Sequence, residues 1–176
     1  MTLLIPARVA TKRLVLRTWQ PDDRPAFAVI NADPEVTEHV APRPLSREQS
    51  DAFVDRIEAS WFDRGYGLYA VESRMSGELL GFCGLSHHRA LPDEVEVGWR
   101  LARPAWGRGL ATEAALACRD LAFDTLRMDR LISITIEENA RSWRVMEKLG
   151  MRRWRTMPFE DWNLSIWAMT APEWAG

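Results

Sequence analysis

Gly107 and Gly109 lie one residue apart in the segment RPAWGRGLATEA, residues 103–114, just before an alanine-rich run. Glycine lowers helix stability by about 1 kcal/mol relative to alanine, so the pair does not serve helix formation. A glycine-rich turn that opens a helix exposes backbone N–H groups at the positive end of the helix dipole, where a phosphate or pyrophosphate can bind. The alternative is a turn that only reverses the chain.

This turn differs from two common phosphate-binding motifs. No Gly-Lys-Ser/Thr sequence follows it, as a P-loop requires, and the third glycine of a dinucleotide-binding fingerprint is missing. A ligand of this turn is therefore expected to be another kind of phosphorylated molecule.

Glu96 is a candidate general base. It lies between Val95 and Val97 in an otherwise apolar predicted strand. Burial raises the pKa of a carboxylate toward the range that is useful for taking a proton from an ammonium group. A solvent-facing strand glutamate, the role expected for its neighbour Glu94, is the alternative.

The other reactive side chains form no recognised motif. Cys83 and Cys118 have no metal-binding spacing and are expected to be reduced and buried. His87 and His88 are expected at the surface, because His39 is the one other histidine and no helical HxxxH pattern occurs. We predict no metal site.

The composition favours one cytoplasmic domain over residues 1–176, since 47% of the residues are hydrophobic and suffice for one core. A net charge of −2 argues against nucleic-acid binding. No apolar run reaches the roughly 18 residues of a membrane span, and the first residues lack signal-peptide features. We therefore predict no membrane association.

Periodicity and turn residues predict an α/β fold, in the α+β sense of one mixed sheet with helices on its faces. Ser46 and Gln49 form a capping box, and Gly65 is expected to end the helix that the box begins. The predicted strands cover residues 11–19, 67–73, 79–88, 93–102, 131–137, 151–157 and 162–169. The predicted helices cover a short segment capped by Asp22 or Asp23 and residues 46–65, 108–123 and 139–149.

Six segments, in order, resemble GNAT-fold acetyltransferases, and more narrowly the branch that contains the ribosomal-protein N-terminal acetyltransferases. Together they span most of the chain, so they are far more specific than any one of them. The segments are TKRLVLRTW (11–19), DPEVTEHV (33–40), GFCGL (81–85), EVGWRL (96–101), WGRGLATEA (106–114) and NARSWRVMEKLGM (139–151).

The resemblance implies a single GNAT-like domain with a central, mostly antiparallel sheet, one parallel splayed strand pair and helices on both faces. It also implies acetyl-CoA as co-substrate. In this family the turn and helix start bind the pyrophosphate through main-chain amides. The pantetheine arm pairs with the EVGWRL strand, where a bulge would direct an amide at the thioester carbonyl. The cofactor-binding residues so implied are Trp99, Leu101, Trp106, Gly107, Arg108, Gly109, Leu110, Ala111, Thr112, Asn139 and Ser142.

The resemblance further implies direct acetyl transfer to an amine, with Glu96 as general base. Asn139 is also a plausible N-cap in its own right. Many relatives carry a tyrosine general acid late on the helix after this asparagine, but Met146 occupies that position here and cannot donate a proton. Ser142 is therefore the expected acid to the leaving thiolate, with unassisted departure of the thiolate as the alternative.

The acceptor stays open between a peptide α-amine, such as a ribosomal-protein N-terminus, and a small polyamine, amino acid or antibiotic. A non-catalytic acyl-CoA-binding sensor is a further alternative, because the tyrosine is missing. We expect a monomer or a homodimer. A basic cluster that could reach the 3′-phosphate of CoA or an acidic partner is expected to be a solvated face; it comprises Arg141, Arg144, Lys148, Arg152, Arg153 and Arg155.

Overall fold

The computed structural model describes residues 2–175, which form eight strands and six α-helices. The strands are β1 (Arg8–Ala10), β2 (Leu14–Arg17), β3 (Leu68–Ser73), β4 (Leu79–His88), β5 (Leu91–Leu101), β6 (Arg130–Ile136), β7 (Arg152–Phe159) and β8 (Trp162–Thr170). The helices are α1 (Asp23–Ala32), α2 (Pro34–Thr37), α3 (Arg47–Arg64), α4 (Leu110–Asp120), α5 (Ala140–Lys148) and α6 (Ala171–Ala175).

The strands form one sheet in the order β1-β2-β3-β4-β5-β6-β8-β7. Neighbouring strands are antiparallel except β5 and β6, which are parallel. The expected mixed sheet with one parallel pair is therefore confirmed. The parallel pair lies in the middle of the sheet, so any opening between its strands is flanked by protein on both sides.

Helices cover both faces of the sheet, as expected. Adjacent strand residues point to opposite faces, and on β4 the side chain of Cys83 meets Cys118 of α4, whereas Phe82 packs against Phe27 of α1 and Phe53 of α3. Cys83 and Cys118 are free and buried, with sulfur atoms 3.8 Å apart, as the sequence predicted. Within residues 2–175, no helix combines the length and the apolar character that crossing a membrane requires.

The long helix α3 begins and ends where its sequence predicts. The Ser46 hydroxyl accepts from the backbone N–H of Gln49 at 3.2 Å, and the Gln49 side chain accepts from the backbone N–H of Ser46 at 2.9 Å. Gly65 ends the helix in the left-handed conformation, with φ of 72°, which glycine adopts without steric cost.

Other boundaries differ from the sequence prediction. The strand predicted over residues 11–19 is limited to β2, and the short β1 that pairs with it was not predicted. The helix predicted over residues 108–123 begins at Leu110 and ends at Asp120, where one π-helical turn, Leu121–Thr125, continues it. The short helices α2 and α6 were also not predicted.

Asp22 occupies the N-cap position of α1, as the sequence predicted, but its side chain makes no capping hydrogen bond. The carboxylate of Asp23 instead accepts two bonds from Arg17, at 2.7 and 2.8 Å. Arg17 also donates to Glu72 at 2.8 Å. The hydrogen bonds that it donates to Asp23 raise the pKa of this buried arginine above its usual value. A buried charge requires such partners, so the aspartate joins α1 to the sheet.

Candidate active site

The glycine turn before α4 has the left-handed backbone that its sequence requires. Gly107 and Gly109 have φ of 70° and 72°, and residues with a Cβ rarely adopt these angles. A Cβ added at Gly107 would meet no atom within 4 Å. The glycine is therefore required by the backbone angle and not by crowding inside the protein.

The amides of this turn and of the first turn of α4 are free. Across residues 2–175, no protein group accepts a hydrogen bond from the N–H of residues 107–112. The first satisfied amide is that of Glu113, which donates to the Gly109 carbonyl at 3.1 Å. Because these donors lie at the positive end of the α4 dipole, the arrangement is suited to binding an anion.

A network from the β1–β2 hairpin fixes this turn. Arg13 donates to the Arg108 carbonyl at 2.7 Å and to Glu113 at 2.6 Å. Glu113 also accepts from the backbone N–H of Arg13 at 2.7 Å and from the Thr11 hydroxyl at 2.6 Å. Burial alone would raise the pKa of Glu113, but these bonds together lower it. Sequence reasoning missed this role, because the partners lie 100 residues apart and carry no local signal.

The parallel strands β5 and β6 diverge, as the resemblance implied. They are paired at one position, Glu96 with Ile132. The next carbonyl on β5, that of Val97, accepts from the Ser133 hydroxyl at 2.9 Å. A side chain thus replaces the backbone pairing at the point where the strands separate.

The register of β5 directs backbone groups into the gap between β5 and β6. The Ala102 N–H donates to the Leu80 carbonyl of β4 at 2.8 Å, so alternate residues of β5 bond β4 and the others face away from it. Trp99 and Leu101 are among those facing the gap. The Leu101 carbonyl accepts from the Trp106 indole N–H at 2.7 Å.

The expected bulge at EVGWRL is wrong. The pairing of β5 with β4 is regular from Glu96 to Leu101, and the irregularity lies further back, between Ser86 and His88. The gap between β5 and β6 opens because β6 diverges from β5, and no bulge in β5 is needed. The N–H of Trp99 faces the gap because of the ordinary alternation of an antiparallel pair.

A cavity of about 360 Å³ joins the gap to the free amides. Of the eleven predicted cofactor-binding residues, ten line this cavity: Trp99, Leu101, Trp106, Gly107, Gly109, Leu110, Ala111, Thr112, Asn139 and Ser142. The exception is Arg108, which does not line the cavity and whose carbonyl accepts the hydrogen bond from Arg13.

Part of the basic cluster also reaches this cavity. Arg141, Arg144 and Lys148 of α5 line it, and the Arg141 guanidinium lies 4.3 Å from the centre of the Trp106 ring. The remaining arginines of the cluster lie on β7. The cluster is therefore two separate groups. The side chains of both are exposed, as expected of a solvated face, and those of α5 also border the cavity.

A second cavity, of about 600 Å³, lies on the α3 side of β5 and contains Glu96. It shares Trp99, Arg100, Asn139 and Ser142 with the first cavity, so the two form one continuous groove. Burial raises the pKa of Glu96 to about 7, opposed in part by a hydrogen bond from the backbone of Ile134. A carboxyl group with this pKa is suited to proton transfer near neutral pH.

His87 and His88 also line the second cavity and are partly exposed, so the expected surface histidines border the groove. His87 interacts with the Tyr66 hydroxyl at 2.9 Å and the Pro92 carbonyl at 2.8 Å. Both ring nitrogens of His87 are therefore engaged. Within residues 2–175, no three acidic, histidine or cysteine side chains cluster closely enough to hold a metal ion.

The start of α5 brings Asn139 and Ser142 to the junction of the two cavities. Asn139 is the N-cap, and its side chain accepts from the backbone N–H of Ser142 at 3.3 Å. The hydroxyl of Ser142 takes no part in this cap. Met146, one turn further, is only 1% exposed and is part of the core.

A family model described as "Acetyltransferase (GNAT) domain" matches residues 13–152. The chain is 31% identical to YkkB of Bacillus subtilis (strain 168) over 163 residues, covering 90% of this chain and 92% of that protein. It is 27% identical to YnaD of the same organism, which is named an N-acetyltransferase, over 82% of each chain. The crystal structure of an acetyltransferase from Agrobacterium tumefaciens str. C58 superposes with a TM-score of 0.83, at 32% identity over 94% of each chain.

Proposed function

The chain belongs to the GNAT acetyltransferase family, and we propose that it transfers the acetyl group of acetyl-CoA directly to a primary amine. One observation carries this proposal. A continuous groove leads from the free amides of residues 107–112, past the gap between β5 and β6, to the carboxyl group of Glu96. A diphosphate, an extended amide-containing arm and a thioester require this sequence of environments.

The first cavity suits the three parts of coenzyme A. The free amides of the turn and of α4 would bind the diphosphate, and the glycines keep those amides accessible. The backbone groups of Trp99 and Leu101 that face the gap would pair with the pantetheine amides. Arg141, Arg144 and Lys148 would bind the 3′-phosphate, because cations on a helix near a phosphate form charge-assisted bonds.

The chemical step uses groups on both sides of the gap. Glu96 takes a proton from the acceptor ammonium, directly or through water, and the freed amine forms a bond with the thioester carbonyl carbon. The Trp99 N–H that faces the gap would stabilise the negative charge on the carbonyl oxygen. The carbon–sulfur bond then breaks, and the attacking nitrogen gives up its second proton. The Ser142 hydroxyl would donate its proton to the departing thiolate and take up the one from the nitrogen; otherwise the thiolate leaves unassisted and the second proton passes to water.

The acceptor of this reaction is either a peptide α-amine, as in the ribosomal-protein N-terminal branch that the six segments resemble, or a small-molecule amine. We propose that residues 1–176 act as one domain, as a monomer or homodimer, without nucleic acid. We also propose a cytoplasmic location. Cys83 and Cys118 lie 3.8 Å apart as free thiols, which is consistent with a reducing compartment.

The buried Met146 favours one second candidate, a non-catalytic sensor that binds acetyl-CoA, because a methionine cannot act as the acid. Calorimetric titration with acetyl-CoA, followed by an assay of free thiol release with a library of amines, separates the two functions. Binding with amine-dependent thiol release supports the enzyme. Binding without release for any amine supports the sensor, and absence of binding overturns both.

A further inference from the structure

Arg100 is a half-buried cation without an acidic partner. Its guanidinium donates to the Asn31 side chain at 2.7 Å, its Nε has no hydrogen-bond partner, and no carboxylate of residues 2–175 forms an ion pair with it. By contrast Arg17, which is buried, has carboxylates of Asp23 and Glu72 within 2.8 Å. Because a charge that is largely shielded from water is costly without a counter-charge, an anion from outside the chain would stabilise Arg100.

The surroundings hold Arg100 ready for a ligand. Its guanidinium lies 5.5 Å from the ring centres of both Phe53 and Phe82. Asn31 is itself fixed, since it donates to Ser50 at 2.9 Å. Burial lowers the pKa of Arg100 to about 10, so the group stays protonated at neutral pH. These contacts fix the side chain, and its Nη2, which makes no hydrogen bond with residues 2–175 and is not buried as Nε is, is the donor open to a ligand.

Arg100 and Glu96 belong to the same cavity. Glu96, Gly98 and Arg100 are every second residue of β5 and therefore lie on the same face of the strand. All three line the second cavity. The Cα atoms of Glu96 and Arg100 lie roughly 13 Å apart along the strand. A ligand that bridges them would bring its amine to Glu96 and a second group to Arg100.

The rim of the second cavity carries the same charge. Arg56 and Arg64 of α3 line it and form no ion pair with any residue from 2 to 175. The two acidic residues of the lining are Glu96 and Glu160, and Glu160 is paired with Arg89. The net positive field repels polyamines and other polycations and attracts anions.

We infer that the acceptor is an amine that also carries an anionic group, a carboxylate or a phosphate, which pairs with Arg100. This inference rests on the proposed acetyltransferase function and narrows its acceptor. Guanidinium groups bind both kinds of anion through paired hydrogen bonds. Arg56 and Arg64 at the rim would draw the anion into the cavity.

Four amines with one carbon skeleton test the inference. They are 6-aminohexanoate, 6-aminohexyl phosphate, the neutral 6-aminohexanamide and 1,6-diaminohexane, each assayed for kcat/KM with saturating acetyl-CoA. We expect at least one anionic amine to exceed the amide by about 10-fold or more, and the diamine to be the poorest acceptor. The better of the two anionic amines identifies carboxylate or phosphate as the preferred group.

Three variants assign the preference to the arginines. Arg100→Gln should abolish it, so that the anionic amine and the amide have similar kcat/KM values in this variant. Because Arg100 also contacts the core, the exposed pair Arg56→Gln and Arg64→Gln provides a second test, and should lower the preference about 3-fold at low salt and less at high salt. Arg47→Gln, on the same helix but outside the cavity, is the matched control.

An amide or diamine acceptor that equals the anionic amines overturns the inference. So does a lack of turnover with all four amines by a protein that binds acetyl-CoA, and so does an anion preference that survives in both arginine variants. Failure to bind acetyl-CoA would instead overturn the proposed function itself.

Discussion

Replacing Glu96 by glutamine should stabilise the protein and inactivate it. Burial raises the pKa of Glu96 from 4.5 to about 7, so the folded protein binds a proton at this site more tightly than the unfolded chain does. The free energy of unfolding therefore falls as pH rises from about 4.5 to 7. Above pH 7 the ionised carboxylate costs about 3 kcal/mol, a cost that glutamine avoids.

The effect can be measured as a difference in Tm between the two proteins at two pH values. At pH 4 both side chains are uncharged in the folded protein, and the Tm values should be similar. At pH 8, Glu96→Gln should melt roughly 6–10 °C higher than the wild type. In the acetyl-transfer assay, kcat should fall at least about 100-fold, and the rise of kcat/KM through pH 7 should disappear.

Glu94→Gln is the matched control on the same strand. Glu94 forms an ion pair with Arg130 at the surface, so its replacement should not raise Tm, and turnover should stay within about 2-fold of the wild type. A gain in Tm for Glu96→Gln that is equal at pH 4 and pH 8 would refute the raised pKa. A variant that keeps the wild-type pH–rate profile would remove Glu96 from the role of base.

Three further changes test other parts of the site and fold. Gly107→Ala should lower the affinity for acetyl-CoA, measured by calorimetry, by about 10-fold or more. Gly77→Ala is its control, because Gly77 has the same left-handed backbone in an open turn. Both variants should lose roughly 1 kcal/mol of stability, but Gly77→Ala should leave the affinity unchanged. Ser142→Ala should lower kcat about 10-fold without changing the Kd for acetyl-CoA; an unchanged kcat means that the thiolate leaves unassisted. Asp23→Asn weakens the counter-charge of Arg17 and should lower stability by about 2–3 kcal/mol in urea denaturation, and a loss below 0.5 kcal/mol would contradict the importance of this pair.

Local signals in the sequence predicted most of the fold. Ser46, Gln49 and Gly65 define α3 because a cap depends on residues three or four positions apart. The glycine turn before α4 was predicted for the same reason, since its left-handed angles are a property of the residues themselves. Where the structure depends on neighbouring residues, the sequence was sufficient.

Long-range contacts account for what the sequence did not predict. From its sequence position Asp23 was expected to cap a helix, but in the structure it pairs with Arg17. Glu113 carries no local signal of its role, which comes from the packing of the hairpin that contains Arg13 on α4. The charge of Arg100 is unremarkable in a strand that alternates polar and apolar residues. Its lack of a counter-charge becomes visible only when every neighbouring element is in place.

Ser133 and Trp106 each occupy a carbonyl of β5 that a neighbouring strand would bond in a continuous sheet. Few backbone hydrogen bonds would therefore form if β5 and β6 closed on each other when the groove is empty. An entering ligand does not have to break a ladder of hydrogen bonds. The open strand edges also lie in the middle of the sheet, with further strands on either side. An unpaired edge at the margin of a sheet invites pairing with another molecule and aggregation, whereas here the same exposed backbone is confined to the interior, where a second chain cannot reach it.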